Sequence, residues 1–331
     1  MEDFSELNLI GRAPEFLDAL QLIKKFAACD ATVLLQGETG TGKELAARAI
    51  HYLSDRRGFP FIPVNCGALP DTLVENELFG HVRGAFTDAR QTQTGLIGNA
   101  EGGTLFLDEI ESLSLKAQVV LLRFLQDRVY RPLGGRAQID GNVRVIAASN
   151  IDVDEMTRAG VFRLDLLYRF AILSLRMPAL RERPGDAIVL ARHFIRRFAL
   201  QYARPERELD SSSIDLLMNH DWPGNVRELE NLIHRGFLMG DGATLHLDRS
   251  TLHMLKSQSS TGTEPGLDIQ FEQGFRGAKA VVVANFERSF LLRALAQSRG
   301  NVSAAARLIG KERRAMGRLL RKYSINRTTF D

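Results

Sequence analysis

The feature that most restricts the fold is a glycine-rich segment, residues 37–43, with the sequence GETGTGK. It fits the pattern G-x-x-x-x-G-K and lies between an apolar strand-like run, residues 32–36, and a helical pattern that begins near Lys43. Such glycines let backbone N–H groups converge on phosphate oxygens, and the N-terminus of the following helix adds a favourable dipole. The segment therefore predicts a phosphate-binding loop, with candidate contacts at Gly37, Glu38, Thr39, Gly40, Thr41, Gly42, Lys43 and Glu44.

Two carboxylates, Asp108 and Glu109, follow a second apolar run, residues 104–107. Ligands of open α/β sheets bind at the C-terminal edge of the strands, so we expect this pair to face the phosphates. Asp108 is then expected to hold Mg²⁺, and Glu109 to polarise the water that attacks ATP. Glu44 stands where the general motif has a metal-binding Ser or Thr, although Thr41 lies nearby, so ligation of Mg²⁺ by the loop is open.

The fold class follows from the alternation of apolar runs with helical patterns. The runs lie at residues 32–36, 61–65, 104–108, 143–148 and 172–177. Such alternation predicts an α/β fold, with a mostly parallel sheet flanked by helices, over residues 1–178. After Pro178 only helical periodicity continues, which predicts a small α-helical lid over residues 179–250. Residues 251–279 include a stretch rich in Ser, Thr, Gly and Pro, which predicts a flexible linker before a last helical block, residues 280–331.

Composition limits the classes of protein to which the chain can belong. No leader segment or membrane-length apolar stretch is visible, and the two cysteines, Cys29 and Cys66, show no metal or redox spacing. A soluble, cytoplasmic protein without a membrane partner is therefore expected. The net charge of +3 is uneven, since the residues from 299 onward carry nine basic and two acidic side chains. A compact basic end indicates a nucleic-acid-binding tail.

The basic end has the pattern of a helix-turn-helix. Gly310 suits a sharp turn between two helices, and Ser303 is a candidate N-cap of the first. In the second helix the apolar positions are Met316, Leu319, Leu320 and Tyr323, at i, i+3, i+4 and i+7, and we expect them to pack inward. The outer face, expected to meet DNA, carries Arg313, Arg314, Arg318, Arg321 and Lys322. A basic oligomerisation module is the alternative.

The segment ELFGHVRGAFTDA, residues 77–89, resembles a signature of the sigma-54-dependent transcription activators, or bacterial enhancer-binding proteins. In that family an ELFGH segment leads into a GAFTGA loop that engages the sigma factor. Here Gly84, Ala85, Phe86, Thr87 and Ala89 match, and Asp88 replaces the second glycine. The resemblance covers roughly residues 8–247 and 280–325. It implies an AAA+ ATPase with a lid, a Fis-type helix-turn-helix, and sigma-factor contact through Phe86 and Thr87.

The resemblance also implies roles for single residues. Asn65 matches the asparagine that restrains the catalytic glutamate, and Asn150 matches sensor I, which reads the γ-phosphate. Arg163 and Arg169 match arginine fingers, which act on the nucleotide of the next subunit, and Arg227 matches sensor II. Fingers supplied between subunits imply a ring oligomer, a hexamer by the family pattern.

The implied function is ATP-dependent activation of transcription, in which a DNA-bound ring remodels sigma-54 RNA polymerase through residues 84–89. Two alternatives stay open. The first is a DNA-binding regulator of the same fold that acts at other promoters, which Asp88 suggests. The second is an AAA+ chaperone or unfoldase, which the predicted helix-turn-helix disfavours. Because the ATPase pattern begins within about ten residues of Met1, we expect no N-terminal regulatory domain and control by a separate inhibitor or partner protein.

Overall fold

The computed structural model describes residues 4, 7–240, 242–247, 291, 298, 301–308, 310 and 313–322. The chain divides into two compact units, Met1–Leu255 and Lys256–Asp331. The predicted linker, residues 251–279, lies outside the described residues, as does Tyr323. No helix within the described ranges has both the length and the apolar character needed to cross a membrane.

A five-stranded parallel sheet forms the centre of the first unit. Its strands are β1 (Val33–Gln36), β2 (Phe61–Asn65), β5 (Thr104–Asp108), β8 (Arg144–Ser149) and β9 (Leu173–Arg176). They lie in the order β2-β5-β8-β1-β9, so β8 separates the strand before the glycine-rich loop from the strand that ends in Asp108. The prediction of a parallel α/β sheet is confirmed, with strand ends within one residue of those expected from the sequence.

Helices cover both faces of this sheet. Two separate apolar clusters result, one around Ile23 and Ile50 and the other around Leu121 and Phe170. The helices are α1 (Pro14–Ala27), α2 (Lys43–Tyr52), α3 (Val74–Phe79), α4 (Leu96–Asn99), α5 (Leu115–Asp127), α6 (Val153–Arg158) and α7 (Leu164–Phe170).

Two short hairpins lie outside the five-stranded sheet and contact each other. The first pairs β3 (Gly80–His81) with β4 (Gln93–Thr94), and the second pairs β6 (Val129–Tyr130) with β7 (Ile139–Asp140). The backbone N–H of Val82 donates to the carbonyl oxygen of Leu133 at 3.0 Å. The loop between β3 and β4, which carries residues 84–89, therefore rests on the second hairpin.

The lid is mainly helical, as predicted, with α8 (Asp186–Tyr202), α9 (Ser211–Asn219) and α10 (Asn225–Met239). The expectation that strands stop after Pro178 is wrong in one detail. Two strands of two residues each, β10 (Glu208–Leu209) and β11 (Thr244–Leu245), form a parallel pair within the lid. They form because the buried Leu245 side chain joins the lid core, which tethers this segment beside β10.

A buried ion pair joins the lid to the N-terminal segment of the α/β subdomain. The side chains of Arg183 and Asp186 are 2% and 1% exposed, and Arg183 Nε donates to Asp186 Oδ2 at 2.8 Å. Asp186 Oδ1 accepts from the backbone N–H of Arg12 at 2.7 Å, and Arg183 donates to the carbonyl oxygen of Ile10. The guanidinium also lies 3.7 Å from the centre of the Phe16 ring. Each charge thus has polar partners, which burial requires.

In the described part of the second unit, helices α11 (Val302–Leu308) and α12 (Arg313–Lys322) lie on either side of Gly310. Gly310 has φ +64, the left-handed turn conformation expected for it. The predicted N-cap is wrong by two residues: Asn301 Oδ1 accepts from the backbone N–H groups of Ser303 and Ala304, because the helix begins at Val302. Among the residues of this unit that the structure describes, Leu291, Ala305, Ala306, Met316 and Leu320 are buried in one apolar cluster.

The polar face of α12 agrees with the prediction. Arg313, Arg314, Arg318 and Lys322 are exposed, whereas the Arg321 side chain lies outside the described residues. Gly317 lies on this helix, and a Cβ there would meet no atom within 4 Å. Packing inside the described part of the unit therefore does not require glycine at this position.

Removal of the buried carboxylate should destabilise the first unit. We expect Asp186→Ala to lower the free energy of unfolding by about 3–5 kcal/mol, because it leaves the buried Arg183 charge unpaired. The exposed control Glu208→Ala should change it by less than about 0.5 kcal/mol. Urea denaturation, followed by fluorescence of Trp222, the single tryptophan, measures both variants. Equal midpoints for the two variants would contradict this account of the joint.

Candidate functional site

Three segments meet at the carboxyl edge of the sheet, because β5, β8 and β1 are adjacent and parallel. They are the glycine-rich loop after β1, Asn150 after β8, and the Asp108-Glu109 pair at the end of β5. A cavity of about 210 Å³ opens between them and the first turn of α10. Its lining includes Gly40, Lys43, Glu44, Asp108, Glu109, Asn150 and Arg227. Seven of the predicted ATP contacts line this cavity, namely Thr39, Gly40, Gly42, Lys43, Glu44, Asn150 and Arg227, whereas Gly37, Glu38 and Thr41 do not.

The glycine-rich loop packs tightly against the lid. Gly40 has φ +80, and a Cβ on it would lie 2.4 Å from the carbonyl oxygen of Gly224. The backbone N–H of Val226 donates to the Gly40 carbonyl oxygen at 3.0 Å. A side chain at position 40 would therefore separate the loop from the N-terminus of α10.

Lys43 is buried, 6% exposed, and its ammonium has three oxygen acceptors. They are the carbonyl oxygens of Gly37 at 2.7 Å and Glu38 at 3.0 Å, and Asn150 Oδ1 at 2.8 Å. Burial lowers the pKa of Lys43, and the charges of Asp108, Glu111 and Glu109 oppose that shift. The ammonium is thus held at the cavity before any phosphate arrives.

The two carboxylates of β5 have different surroundings. Burial raises the pKa of Asp108, whose Oδ1 accepts from the backbone N–H of Glu109 at 3.0 Å. Glu109 has φ +57, a left-handed conformation that is uncommon outside glycine. Asn65 Nδ2 donates to Glu109 Oε2 at 3.2 Å, and Asn65 Oδ1 accepts from the backbone N–H of Gly67. The pairing of Asn65 with Glu109 therefore exists in this structure.

The oxygen groups of the loop bear on the candidate magnesium site. The Thr41 hydroxyl is buried and donates to the Glu38 carbonyl oxygen at 2.8 Å, and Glu44 pairs with Arg48 one turn later. Within the described ranges no cluster of three His, Cys, Asp or Glu side chains forms a ready-made metal site. A carboxylate such as Asp108, partly buried at the cavity, suits Mg²⁺, which takes few protein ligands and completes its shell with phosphates and water.

Asn225 was missed in the sequence and joins three segments. It is fully buried, with φ +51, and its Nδ2 donates to the carbonyl oxygen of Thr39 at 3.0 Å and to Glu38 Oε2 at 3.1 Å. Its Oδ1 accepts from the backbone N–H of Leu180 at 2.8 Å. Glu38 also pairs with Arg181, whose hydrogen bonds lower the pKa of Glu38 to about 2. Asparagine is enriched among non-glycine residues with positive φ, but the backbone angle at a given asparagine cannot be read from the sequence.

The two candidate arginine fingers differ in their surroundings. Arg163 is paired with Asp165 at 2.6 Å, and this contact lowers the pKa of Asp165. Arg169 is exposed on α7. Gln118, fully buried in α5, accepts from the backbone N–H of Arg163 and donates to the carbonyl oxygens of Leu113 and Val161. Gln118 thus ties the finger segment to the loop that follows Glu109.

The loop with the sequence GAFTDA, residues 84–89, lies outside the cavity. Phe86 is 43% exposed, with its ring 4.9 Å from that of His81, and Thr87 is exposed beside it. The Gly84 N–H donates to the Ala89 carbonyl oxygen at 2.8 Å, which closes the loop. Asp88 is not among the residues with positive φ, so the loop does not need a glycine at this position.

Comparisons with known proteins agree with this geometry. The description "Sigma-54 interaction domain" matches residues 9–176, "AAA+ ATPase lid domain" matches residues 181–266, and "Bacterial regulatory protein, Fis family" matches residues 282–323. The nitrogen fixation protein AnfA of Azotobacter vinelandii is 38% identical over 99% of this chain, which spans 60% of that relative. The sigma54-dependent transcriptional activator SfnR of Pseudomonas putida is 43% identical over 88% of this chain and 81% of its own.

Structural similarity points the same way. The crystal structure of NtrX from Brucella abortus in complex with ADP aligns with a TM-score of 0.71 and 29% identity, over 96% of this chain and 69% of that one. The chain belongs to the family of sigma-54-dependent transcription activators. The predicted fold class, an AAA+ P-loop fold with a lid and a Fis-type helix-turn-helix, is confirmed.

Loss of the Asn225 side chain should loosen the glycine-rich loop. We expect Asn225→Gly to weaken ADP binding about tenfold, because glycine keeps the positive φ but removes the hydrogen bonds to Glu38 and Thr39. The matched control is Asn8→Gly, since Asn8 is exposed and has φ +60. Equilibrium titration with ADP measures both variants. Equal affinity for ADP in Asn225→Gly and the wild type would show that the loop does not depend on this bridge.

Proposed function

We propose that the protein is an ATP-hydrolysing transcription activator that binds DNA upstream of promoters and remodels sigma-54 RNA polymerase. One observation carries the proposal. The same unit combines a cavity lined by Lys43, Asp108 and Glu109 with an exposed Phe86-Thr87 pair on the loop between β3 and β4. Family membership and the description of SfnR as a sigma54-dependent activator support it.

In the proposed hydrolysis the loop N–H groups and Lys43 bind the phosphates of ATP. Glu109 takes up a proton from the attacking water, and Asn65 holds its carboxylate in position beforehand. Asp108 would hold Mg²⁺, which neutralises phosphate charge when it is bound. Asn150 and Arg227 border the cavity from the sheet and the lid, where they would read the γ-phosphate.

Arg163 and Arg169 are proposed to act on the nucleotide of a neighbouring subunit. Both are exposed, and neither lines the cavity of its own subunit. A positive charge supplied from outside would make turnover depend on assembly into a ring, a hexamer by the family pattern. Exposed apolar side chains on the same segment, Leu164, Tyr168 and Ile172, suit burial against a second copy.

The transcription step is assigned to the loop of residues 84–89 and to the second unit. Phe86 and Thr87 would contact the sigma factor, while Arg313, Arg314, Arg318, Arg321 and Lys322 would contact DNA. The closed loop around Asp88 favours retained sigma-54 contact over the alternative of a regulator at other promoters. We also propose that a separate inhibitor or regulatory partner controls the protein, and that the protein acts in the cytoplasm.

Mixing of two inactive variants tests whether the fingers act between subunits. Arg169→Ala and Glu109→Gln should each abolish turnover, because one lacks the finger and the other lacks the base. A mixture should regain part of the activity, since an Arg169→Ala site next to a Glu109→Gln subunit has both groups. Phosphate release measures the recovery, and the double variant mixed with Arg169→Ala is the control without recovery. Failure of the first mixture at every ratio would place Arg169 in its own subunit's site.

Variants in the loop of residues 84–89 test sigma-54 activation against its alternative, regulation at other promoters. Thr87→Ala should leave ATP turnover and DNA binding within about twofold of the wild type yet abolish open-complex formation, because Thr87 lies outside the cavity. Asp88→Gly should retain activation, since position 88 needs no special backbone conformation. Transcription in vitro with purified sigma-54 polymerase and a supercoiled promoter measures both. Suppose that the wild-type protein hydrolyses ATP but does not open this promoter, whereas the Asp88→Gly variant does. That result would establish the alternative, a regulator that acts at other promoters.

A further inference from the structure

A third carboxylate lies beside the nucleotide cavity and has no part in the proposed hydrolysis. Glu111 belongs to the 3-10 turn Ile110–Ser112, directly after Glu109. Its Oε1 accepts from the backbone N–H of Asn150 at 3.1 Å and from Asn150 Nδ2 at 2.8 Å. Its Oε2 is buried and has no hydrogen-bond partner among the described residues.

The contact with Glu111 determines which end of the Asn150 amide faces the cavity. The two ends of an asparagine amide have nearly the same shape, but only the NH₂ group donates. Glu111 Oε1 accepts from the backbone N–H and from Nδ2 of Asn150, so Glu111 draws the NH₂ group toward itself and leaves Oδ1 on the other side. There Oδ1 accepts from Lys43 Nζ at 2.8 Å. The reversed amide would set a donor against the Lys43 ammonium and remove one of its three acceptors.

Rigid elements support this arrangement. The turn that carries Glu111 follows β5, and Asn150 follows β8, the neighbouring parallel strand, with Leu107 in register with Ala147. Lys43 is the first residue of α2. Each of the three residues thus stands at or next to an end of a regular element, so the hydrogen bonds among them link fixed parts of one subdomain.

We propose that Glu111 is the positioning residue for Asn150 and thereby sets how the site distinguishes ATP from ADP. The inference rests on the proposed function, in which Asn150 reads the γ-phosphate. Without that phosphate, Asn150 Oδ1 holds the Lys43 ammonium. When the γ-phosphate is bound, the Lys43 ammonium contacts the phosphate oxygens instead. The Asn150 amide is still held by Glu111, so its second N–H and its Oδ1 keep a fixed direction. Without Glu111 the amide can reverse, and that direction is lost.

Nucleotide discrimination is the readout that a merely structural role would not change. We expect Glu111→Ala to change the Kd for ADP by less than about twofold, because ADP lacks the group that Asn150 reads. The ratio of the Kd values for ADP and the non-hydrolysable analogue AMP-PNP, both measured with Mg²⁺, should come closer to one by at least about fivefold. The kcat for ATP should fall about tenfold. Glu111→Gln should retain most of the difference, since its amide oxygen still accepts from Asn150 Nδ2. The control is Glu208→Ala, at an exposed position of the lid.

A double-mutant cycle on the full chain completes the test. If Glu111 acts through Asn150, Glu111→Ala should have no further effect on discrimination or kcat in an Asn150→Ala background. Additive losses, or equal weakening of ADP and AMP-PNP by Glu111→Ala, would overturn the proposal. A wild-type protein that fails to hydrolyse ATP contradicts the proposed function itself. If the wild type hydrolyses ATP, and the Glu111→Ala variant distinguishes AMP-PNP from ADP as well as the wild type does, only this inference is contradicted.

Discussion

The buried ammonium of Lys43 is the interaction on which the site depends. A charge this far from water needs oxygen partners, and the loop supplies two carbonyl oxygens while the sheet supplies Asn150. Those contacts hold the loop closed around the side chain, and the charges of the nearby carboxylates oppose the lowering of the Lys43 pKa by burial. Phosphate binding then exchanges one set of oxygens for another, so little reorganisation is needed when the nucleotide arrives.

The parts of the fold that follow from local chemistry could be predicted from the sequence. Parallel strands buried on both faces give apolar runs, which located all five strands of the sheet and the edge that carries Asp108 and Glu109. The spacing of Met316 and Leu320 likewise placed the inner face of α12. The predictions were wrong for the two-residue strands of the lid and for the N-cap of α11, which is Asn301. Both features depend on where a helix or segment begins or ends rather than on periodicity.

Residues that act through long-range contacts could not be found this way. Gln118, Glu111 and Asn225 are polar positions within or beside helical or turn patterns, and nothing in their local sequence reports the partners. Gln118 satisfies three backbone groups from two loops, and one of these loops carries Arg163 while the other follows Glu109. Burial without a partner would be costly for such an amide, so its bonds fix the spacing of the two loops.

The bridge made by Asn225 has a consequence for the lid that goes beyond the geometry of the cavity. The lid has an apolar core of its own, yet it cannot separate from the glycine-rich loop without stripping a fully buried amide of its partners. A ligand that binds the loop adds RT ln(1 + [L]/Kd) to the stability of the folded form, and the lid receives that stabilisation through Asn225. Resistance of the lid to local melting and to proteases would then rise and fall with the nucleotide concentration of the cell.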